Sequence, residues 1–423
     1  MPLKGIWYHI LLVRLGAGVG YEGAGGGMRR WILRALLGGL VSLGAALSVA
    51  WWTATPDIGA RASGERLARM AGSPQWDGGG FTNPLVQIDG SMTDVLGKEL
   101  GENPAVQVPD TALPVLSRTA DEFTTLPESG LRVTWLGHST LLVELDGARI
   151  LIDPVWGERA SPWSSAGPAR FFAPPLPLDA LPPIDAVIIS HDHYDHLDYQ
   201  TVTAMLPQQA RWLVPLGIGA HLEHWGMPAE RITELDWWEA VEVAGVVLTA
   251  TPARHFSGRW LDRFRSTLWA GWAIRGPEHA VFYSGDTALY PELEDIGARL
   301  GPFDMTMIDS GAYDSTWTDV HLGPEQAVLA HQLVRGSVLL PVHWGMFDLG
   351  NHGWTEPIER TLRAAERQGV RVVTPRPGAS VELADAERVE RWWPELPYRT
   401  LEQDPVWSTS VDALIARWWV PPP

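Results

Sequence analysis

The segment His191-Asp192-His193-Tyr194-Asp195-His196 places four potential metal ligands within six residues, separated only by Ser190 from the apolar run Val187-Ile188-Ile189. His191 and His193, two apart, can point to one ion, and Asp195 and His196 can turn to a second. Imidazole and carboxylate donors suit Zn²⁺, with Fe or Mn as alternatives. Two ions need more donors than this loop gives, and 13 histidines narrow the search. His255 follows Thr249-Ala250-Thr251, Asp286 ends Val281-Phe282-Tyr283-Ser284-Gly285, and His343 ends Ser337-Val338-Leu339-Leu340-Pro341-Val342. Each sits where an apolar run meets a loop, the usual place for a site on an α/β scaffold. Taken singly, each would more often be a structural residue; taken with the loop, they complete a set of seven candidate ligands. Cysteine is absent, which removes thiolate metal sites, cysteine nucleophiles and disulfides together. Two ions about 3.5–4 Å apart can hold a hydroxide at neutral pH, so no side-chain nucleophile is required. Asp286 would orient that hydroxide and take its proton.

These residues need a scaffold that brings distant strand ends together. From about Gly130 short β-branched runs appear: Leu131–Leu136, Leu141–Leu145, Arg149–Ile152, Ala186–Ile189, Val241–Thr249, Leu268–Ile274, Ala280–Tyr283, Met305–Ile308, Ser337–Val342 and Val370–Val373. Helix-length stretches fall between several of them, notably Asp198–Leu206, Ile218–Trp225, Pro291–Leu300, Pro324–Val334 and Glu356–Gln368. Strands interrupted by helices predict a layered α/β domain. Hydrophobic residues at 45% supply a large core. Lys plus Arg number 32 against 50 Asp plus Glu, a net charge of −18 that disfavours nucleic acid as a partner. The 23 tryptophans suit a lipid-facing surface.

The ligand pattern with its later His, Gly-Asp and His resembles the metallo-β-lactamase superfamily, which implies a four-layer αββα sandwich. The flanks are more specific. Trp135-Leu136-Gly137-His138-Ser139-Thr140, Ile152-Asp153-Pro154, Leu181-Pro182-Pro183-Ile184-Asp185, Glu234-Leu235-Asp236-Trp237-Trp238-Glu239, Gly311-Ala312-Tyr313 and His343-Trp344-Gly345 are similar to the N-acyl-phosphatidylethanolamine-hydrolysing phospholipase D branch. Likeness runs from about Phe81 to about Pro357. The resemblance implies that His191, His193 and His255 hold one Zn²⁺, Asp195, His196 and His343 the other, with Asp286 bridging. It also implies that His321, ahead of a helix beginning near Pro324, contacts the phosphate of a phospholipid or other small phosphodiester. Arg259, four residues after His255, is a second candidate for substrate binding. Asp153 and His138 are read as supports of the ligands. Eukaryotic members carry Gln-Tyr where this chain has Ser164-Ser165, which puts the lipid headgroup in doubt. A lactonase or amide hydrolase on the same metals, or a non-catalytic zinc-binding envelope protein, are the rival readings.

Towards the N-terminus, residues 1–27 read as an extension upstream of a start at Met28. Arg29-Arg30-Trp31-Ile32-Leu33-Arg34, an uncharged run from Ala35 to Trp52, and small residues at Ser48 and Ala50 have the order of an export signal. The same run sits at the lower length limit for a membrane anchor. Residues 28–55 are therefore expected to be a signal peptide or anchor, 56–80 a linker, 81–383 the hydrolase domain and 384–423 a C-terminal extension. The implied location is a bacterial-type envelope, with the chain exported to the periplasm or anchored in the inner membrane; the alternative is a cytoplasmic, membrane-associated protein. A membrane surface is the expected partner, and the resemblance implies a homodimer.

Overall fold

The computed structural model describes residues 25–88, 106–260, 264–385 and 389–419. They fall into two compact units, Met1–Thr53 and Ala54–Pro423. In the first, the described residues belong to helix α1 (Gly25–Ile58), where Trp31, Leu36, Leu40, Val41 and Val49 are exposed. No helix among the described residues is long and apolar enough to cross a membrane. The expected upstream extension lies, apart from its last three residues, outside the described residues, as does the 420–423 end.

The second unit is built on two sheets. The first runs β13-β1-β2-β3-β4-β5-β6, from β1 (Leu131–Gly137), β2 (Thr140–Leu145), β3 (Ala148–Ile152), β4 (Ala186–Ile188), β5 (Arg211–Pro215), β6 (Ile232–Leu235) and β13 (Ser380–Glu382). The second runs β12-β11-β10-β9-β8-β7, from β7 (Ala240–Val243), β8 (Val246–Thr251), β9 (Gly271–Arg275), β10 (Ala280–Tyr283), β11 (Phe303–Asp309) and β12 (Gly336–Val342). Central strands bury both faces. Ala186 and Ile188 of β4 enter the core between the sheets, while Val187 packs beneath α3 (Tyr199–Ala204) and α4 (Gly219–His224). In β12, Val338, Leu340 and Val342 face the same inter-sheet core, while Leu339 meets the helices of the opposite outer layer. Those helices are α5 (Glu292–Arg299), α6 (Pro324–Leu333), α7 (Glu356–Gln368) and α8 (Asp412–Trp418). Double burial explains why these strands read as unbroken apolar runs with no polar alternation. The αββα expectation is met.

Local chemistry sets the element ends. Asp198 caps α3, its carboxylate accepting from the backbone N–H of Gln200 and Thr201. Pro324 opens α6, where its missing N–H costs nothing. The expected single strand Val241–Thr249 is instead the hairpin β7–β8, because Ala244 (φ 50°) and Gly245 (φ 82°) form a two-residue left-handed turn. Val370–Val373 makes no strand, only a bridge from Val372 to Leu339.

Two domain boundaries differ from expectation. Residues 56–80 are not a free linker: α2 (Gly64–Ala71) sinks Met70 into the inter-sheet core, and Arg66 pairs with Glu234 at 2.7 Å and Glu223 at 2.9 Å. Nor is the segment after 383 wholly an appendage. Trp392 stacks on Trp344, ring centroids 5.2 Å apart, and together with Trp393 it lies in the same core. In both segments the anchoring partners, such as Glu223 and Glu234 for Arg66 and Trp344 for Trp392, lie far along the chain, where the local pattern cannot show them.

Candidate metal centre

All seven candidate ligands lie at the carboxyl ends of strands, on both sheets, and converge at one end of the sandwich. The loop after β4 carries His191, His193, Asp195 and His196; β8, β10 and β12 lead to His255, Asp286 and His343. Three overlapping donor groups form. His191, His193, His255 and Asp286 make one; Asp195, His196 and His343 fall in a second with His138; Asp286, Asp309, His321 and His343 make a third, the ligand atoms of each group lying within 4.8 Å of one another. Asp286 joins them: its Oδ2 is 3.1 Å from Nε2 of both His196 and His343, 3.6 Å from His191 Nε2 and 3.8 Å from His255 Nε2.

The side chains behind the ligands fix which nitrogen faces inward. His255 Nδ1 donates to the carbonyl of Val320 at 2.9 Å, and His196 Nδ1 to Asp153 Oδ2 at 2.7 Å. In the neutral imidazole this leaves the Nε2 lone pair to face the other donors, as a metal ligand requires. Asp153, at the end of β3, is fully buried and also accepts from Ser190 N (2.7 Å), Ser190 Oγ (2.6 Å) and Tyr283 OH (2.5 Å). His138, in the β1–β2 turn, lies with its Nε2 2.9 Å from Asp195 Oδ2. Burial and the neighbouring His343 push His138 down to about 3, so it is neutral and donates that hydrogen bond.

Protein atoms alone leave this cluster poorly satisfied, and the pattern fits divalent cations. His196 Nε2 and Asp286 Oδ1 are buried without a hydrogen-bond partner, although His196 lies so close to Asp286. Burial opposes charge on Asp286 and Asp195, yet His196 and its neighbours hold both carboxyls well below the usual range. Conversely, burial lowers His343, but Asp286 and Asp309 outweigh it and push the imidazole up to about 10. Buried carboxylates that recruit protons onto imidazoles in this way are poised to exchange those protons for metal. The all-N/O donor set, without thiolate, suits Zn²⁺, Fe or Mn.

Backbone geometry shows how tightly the site is held. His138 (φ 50°), Asp153 (φ 39°) and His343 (φ 64°) are non-glycine residues in the left-handed region, each costing on the order of 1–3 kcal/mol. At Gly285 (φ 58°) a Cβ would come within 2.8 Å of Ala270 O and 2.9 Å of Ser190 Cβ. Glycine is what lets Asp286 approach the ligand loop.

The centre opens into a cavity of about 320 Å³ lined by His193, Asp195, Asp286, His321 and His343 on its polar side. Phe256, Trp317, Val320 and Leu349 line the other side. His321 is placed as its position ahead of α6 suggests: its Nδ1 lies 3.0 Å from Asp309 Oδ2 and its ring stacks on His343 at 4.9 Å. Asp309 was not singled out from sequence, although it ends β11 as Asp153 follows β3; it lies 3.4 Å from His343 Nδ1 as well. Ser164 and Ser165 are exposed.

Arg259 does not serve as a substrate contact. It is 2% exposed and does not line the cavity, and its guanidinium donates to main-chain carbonyls, Nε to Asp57 O at 2.8 Å and Nη1 to Asp192 O and Leu197 O at 2.7 Å each. The His255 spacing suggested a phosphate partner, but the chain turns this side chain beneath the ligand loop instead of into the cavity.

Residues 148–344 match the family model described as the Beta-lactamase superfamily domain. An uncharacterized protein of Mycobacterium tuberculosis is 43% identical over 390 residues, 90% of this chain and 98% of that one. The N-acyl-phosphatidylethanolamine-hydrolyzing phospholipase D 1 of Caenorhabditis elegans is 41% identical over 256 residues, 58% of this chain and 71% of that one. A metal-dependent hydrolase of Pyrobaculum aerophilum is 29% identical over 246 residues, 58% and 97% of the two chains.

Proposed function

Because this chain belongs to the metallo-β-lactamase superfamily, in the branch that includes the N-acyl-phosphatidylethanolamine-hydrolysing phospholipases D, and is a metal-dependent hydrolase, we propose that it is a binuclear zinc phosphodiesterase of phospholipase D type. Its substrate in this reading is an N-acyl-phosphatidylethanolamine-like phospholipid, met at a membrane surface. His191, His193 and His255 would hold one Zn²⁺, Asp195, His196 and His343 the other, with Asp286 between them. Two such cations ready water for attack at neutral pH and neutralise charge growing on phosphoryl oxygens.

The chain's own groups do the rest. Asp286 Oδ1, buried and without a hydrogen-bond partner, is the acceptor available to the attacking water's proton. His321 has Nδ1 committed to Asp309, which leaves Nε2 for an anionic oxygen of the substrate. Phe256, Trp317, Val320 and Leu349 exclude bulk water and give the alkyl part of an amphiphile an apolar wall. One observation carries the reading: three four-donor groups, linked through Asp286 and His343, meet at a cavity lined by His193, Asp195, Asp286, His321 and His343.

The test is direct. Purified protein is assayed on N-acyl-phosphatidylethanolamine vesicles, a chromogenic phosphodiester and a lactone, with and without chelator. Chelator-sensitive release of the headgroup alcohol supports the proposal. Turnover of the lactone alone would overturn it in favour of the lactonase or amide-hydrolase reading. The segment 28–55 is read as the element that exports the chain or holds it at the envelope membrane; fractionation of a tagged full-length chain tests that.

A further inference from the structure

The ligand loop needs its own support, because four of the seven ligands sit on a stretch without regular structure between β4 and α3. A free loop of this length would lose its aim, and with it the metal-binding geometry. The structure places one cation beneath it. Arg259 Nη1 carries two hydrogens, and they go to the loop's two ends, Asp192 O and Leu197 O, each at 2.7 Å. Tyr194, midway between, lies against the guanidinium with its ring 4.1 Å from Cζ, and its hydroxyl donates to Arg259 O. The Asp192 carboxylate turns away from the cavity and accepts from Gly258 N at 2.7 Å, so the 258–259 backbone and the Arg259 side chain grip the loop together.

The same guanidinium reaches a third strand of chain. Its Nε donates to Asp57 O at 2.8 Å. Around that point Trp225 Nε1 donates to Pro56 O at 2.7 Å, and Ala60 N to His221 Nδ1 at 3.1 Å, with His221 Nε2 3.4 Å from Asp192 Oδ2. Ala54 and Ile58 are buried. The segment 54–60 is thus bonded to the underside of the loop whose upper side carries the ligands.

We infer that Arg259 is the positioning residue of the metal-ligand loop, a clamp that sets the distance between the loop's ends and ties them to the chain entering the fold at 54–60. This rests on the reading of His191, His193, Asp195 and His196 as ligands. Lysine cannot substitute, since one ammonium on a flexible stem lacks the planar fork that serves three carbonyls at fixed angles. The role differs from bulk core support, as it acts on metal retention.

The experiment uses the full-length chain loaded with zinc and follows zinc loss to excess chelator with a fluorescent indicator. Arg259→Lys is expected to lose zinc about ten-fold faster than wild type, the range typical for groups that orient ligands. In Arg259→Ala, added methylguanidinium is expected to slow the loss again. Arg360→Lys is the control, an equally buried arginine that pairs with Glu325 and touches no part of the loop. Wild-type loss rates in the folded Arg259 variants would overturn the inference, as would equal acceleration in Arg360→Lys. If Arg259→Ala does not fold, the Arg259→Lys and Arg360→Lys pair decides. A wild-type chain that retains no zinc would instead overturn the ligand reading of the loop, and the clamp with it.

Discussion

Replacing Asp153 by Asn changes one atom and should weaken metal binding without touching a ligand. The carboxylate now receives four donors: Ser190 N and Oγ, Tyr283 OH and His196 Nδ1. Asparagine offers one oxygen and one NH₂. With its oxygen kept on Ser190 N, the amide nitrogen meets three groups that all donated to Asp153. His196 then does best by turning its Nδ1 into an acceptor, which moves the proton to Nε2 and spoils the lone pair aimed at the metal. Loss of such an orienting carboxylate costs about 10–100-fold in metal affinity, or roughly 1.4–2.7 kcal/mol. Donors left unsatisfied in the buried pocket cost roughly 1–3 kcal/mol of folding stability besides. Competition with a chromophoric chelator measures the first quantity and urea unfolding of the chelated protein the second. Affinity within two-fold of wild type would refute the tautomer reasoning, whatever happened to stability.

Exhaustive chelation followed by back-titration should return two divalent ions per chain and restore hydrolysis together with thermal stability; saturation at one ion would refute the binuclear arrangement, by metal analysis of the gel-filtered protein. Gly285→Ala should destabilise the fold by a few kcal/mol, since the left-handed backbone disfavours a side chain and a Cβ would press on Ala270 O and Ser190 Cβ; denaturant midpoints check it. Buried His331, whose Nδ1 lies 2.7 Å from Thr306 Oγ1, is pushed down by burial from 6.5 to about 4. Its folded form resists protonation that the unfolded chain accepts, so its contribution is intact above pH 6.5 and is lost as pH falls towards 4, by roughly 3 kcal/mol at the limit. Urea unfolding of chelated protein at pH 7 and pH 4.5 should show this slope flattened in His331→Gln.

The residue types in the loop from His191 to His196, and the strand ends at His255, Asp286 and His343, were legible because ligand chemistry is local in kind and strand-to-loop transitions are local in pattern. The αββα layering was legible for the same reason: strands buried on both faces announce themselves as apolar runs, as β4 and β12 do. Short edge strands such as β6 and β13, only partly buried, carried no such mark. Nor did the anchoring of 54–80 and of Trp392-Trp393, where burial depends on partners far along the chain. Arg259 shows the limit most plainly. Its spacing from His255 is visible in sequence, but whether a guanidinium faces a phosphate or three carbonyls depends on which surfaces the sheets bring together. Sequence determined which groups could bind metal; the tertiary structure alone decided where each points, since direction comes from packing between segments that share no neighbourhood in the chain.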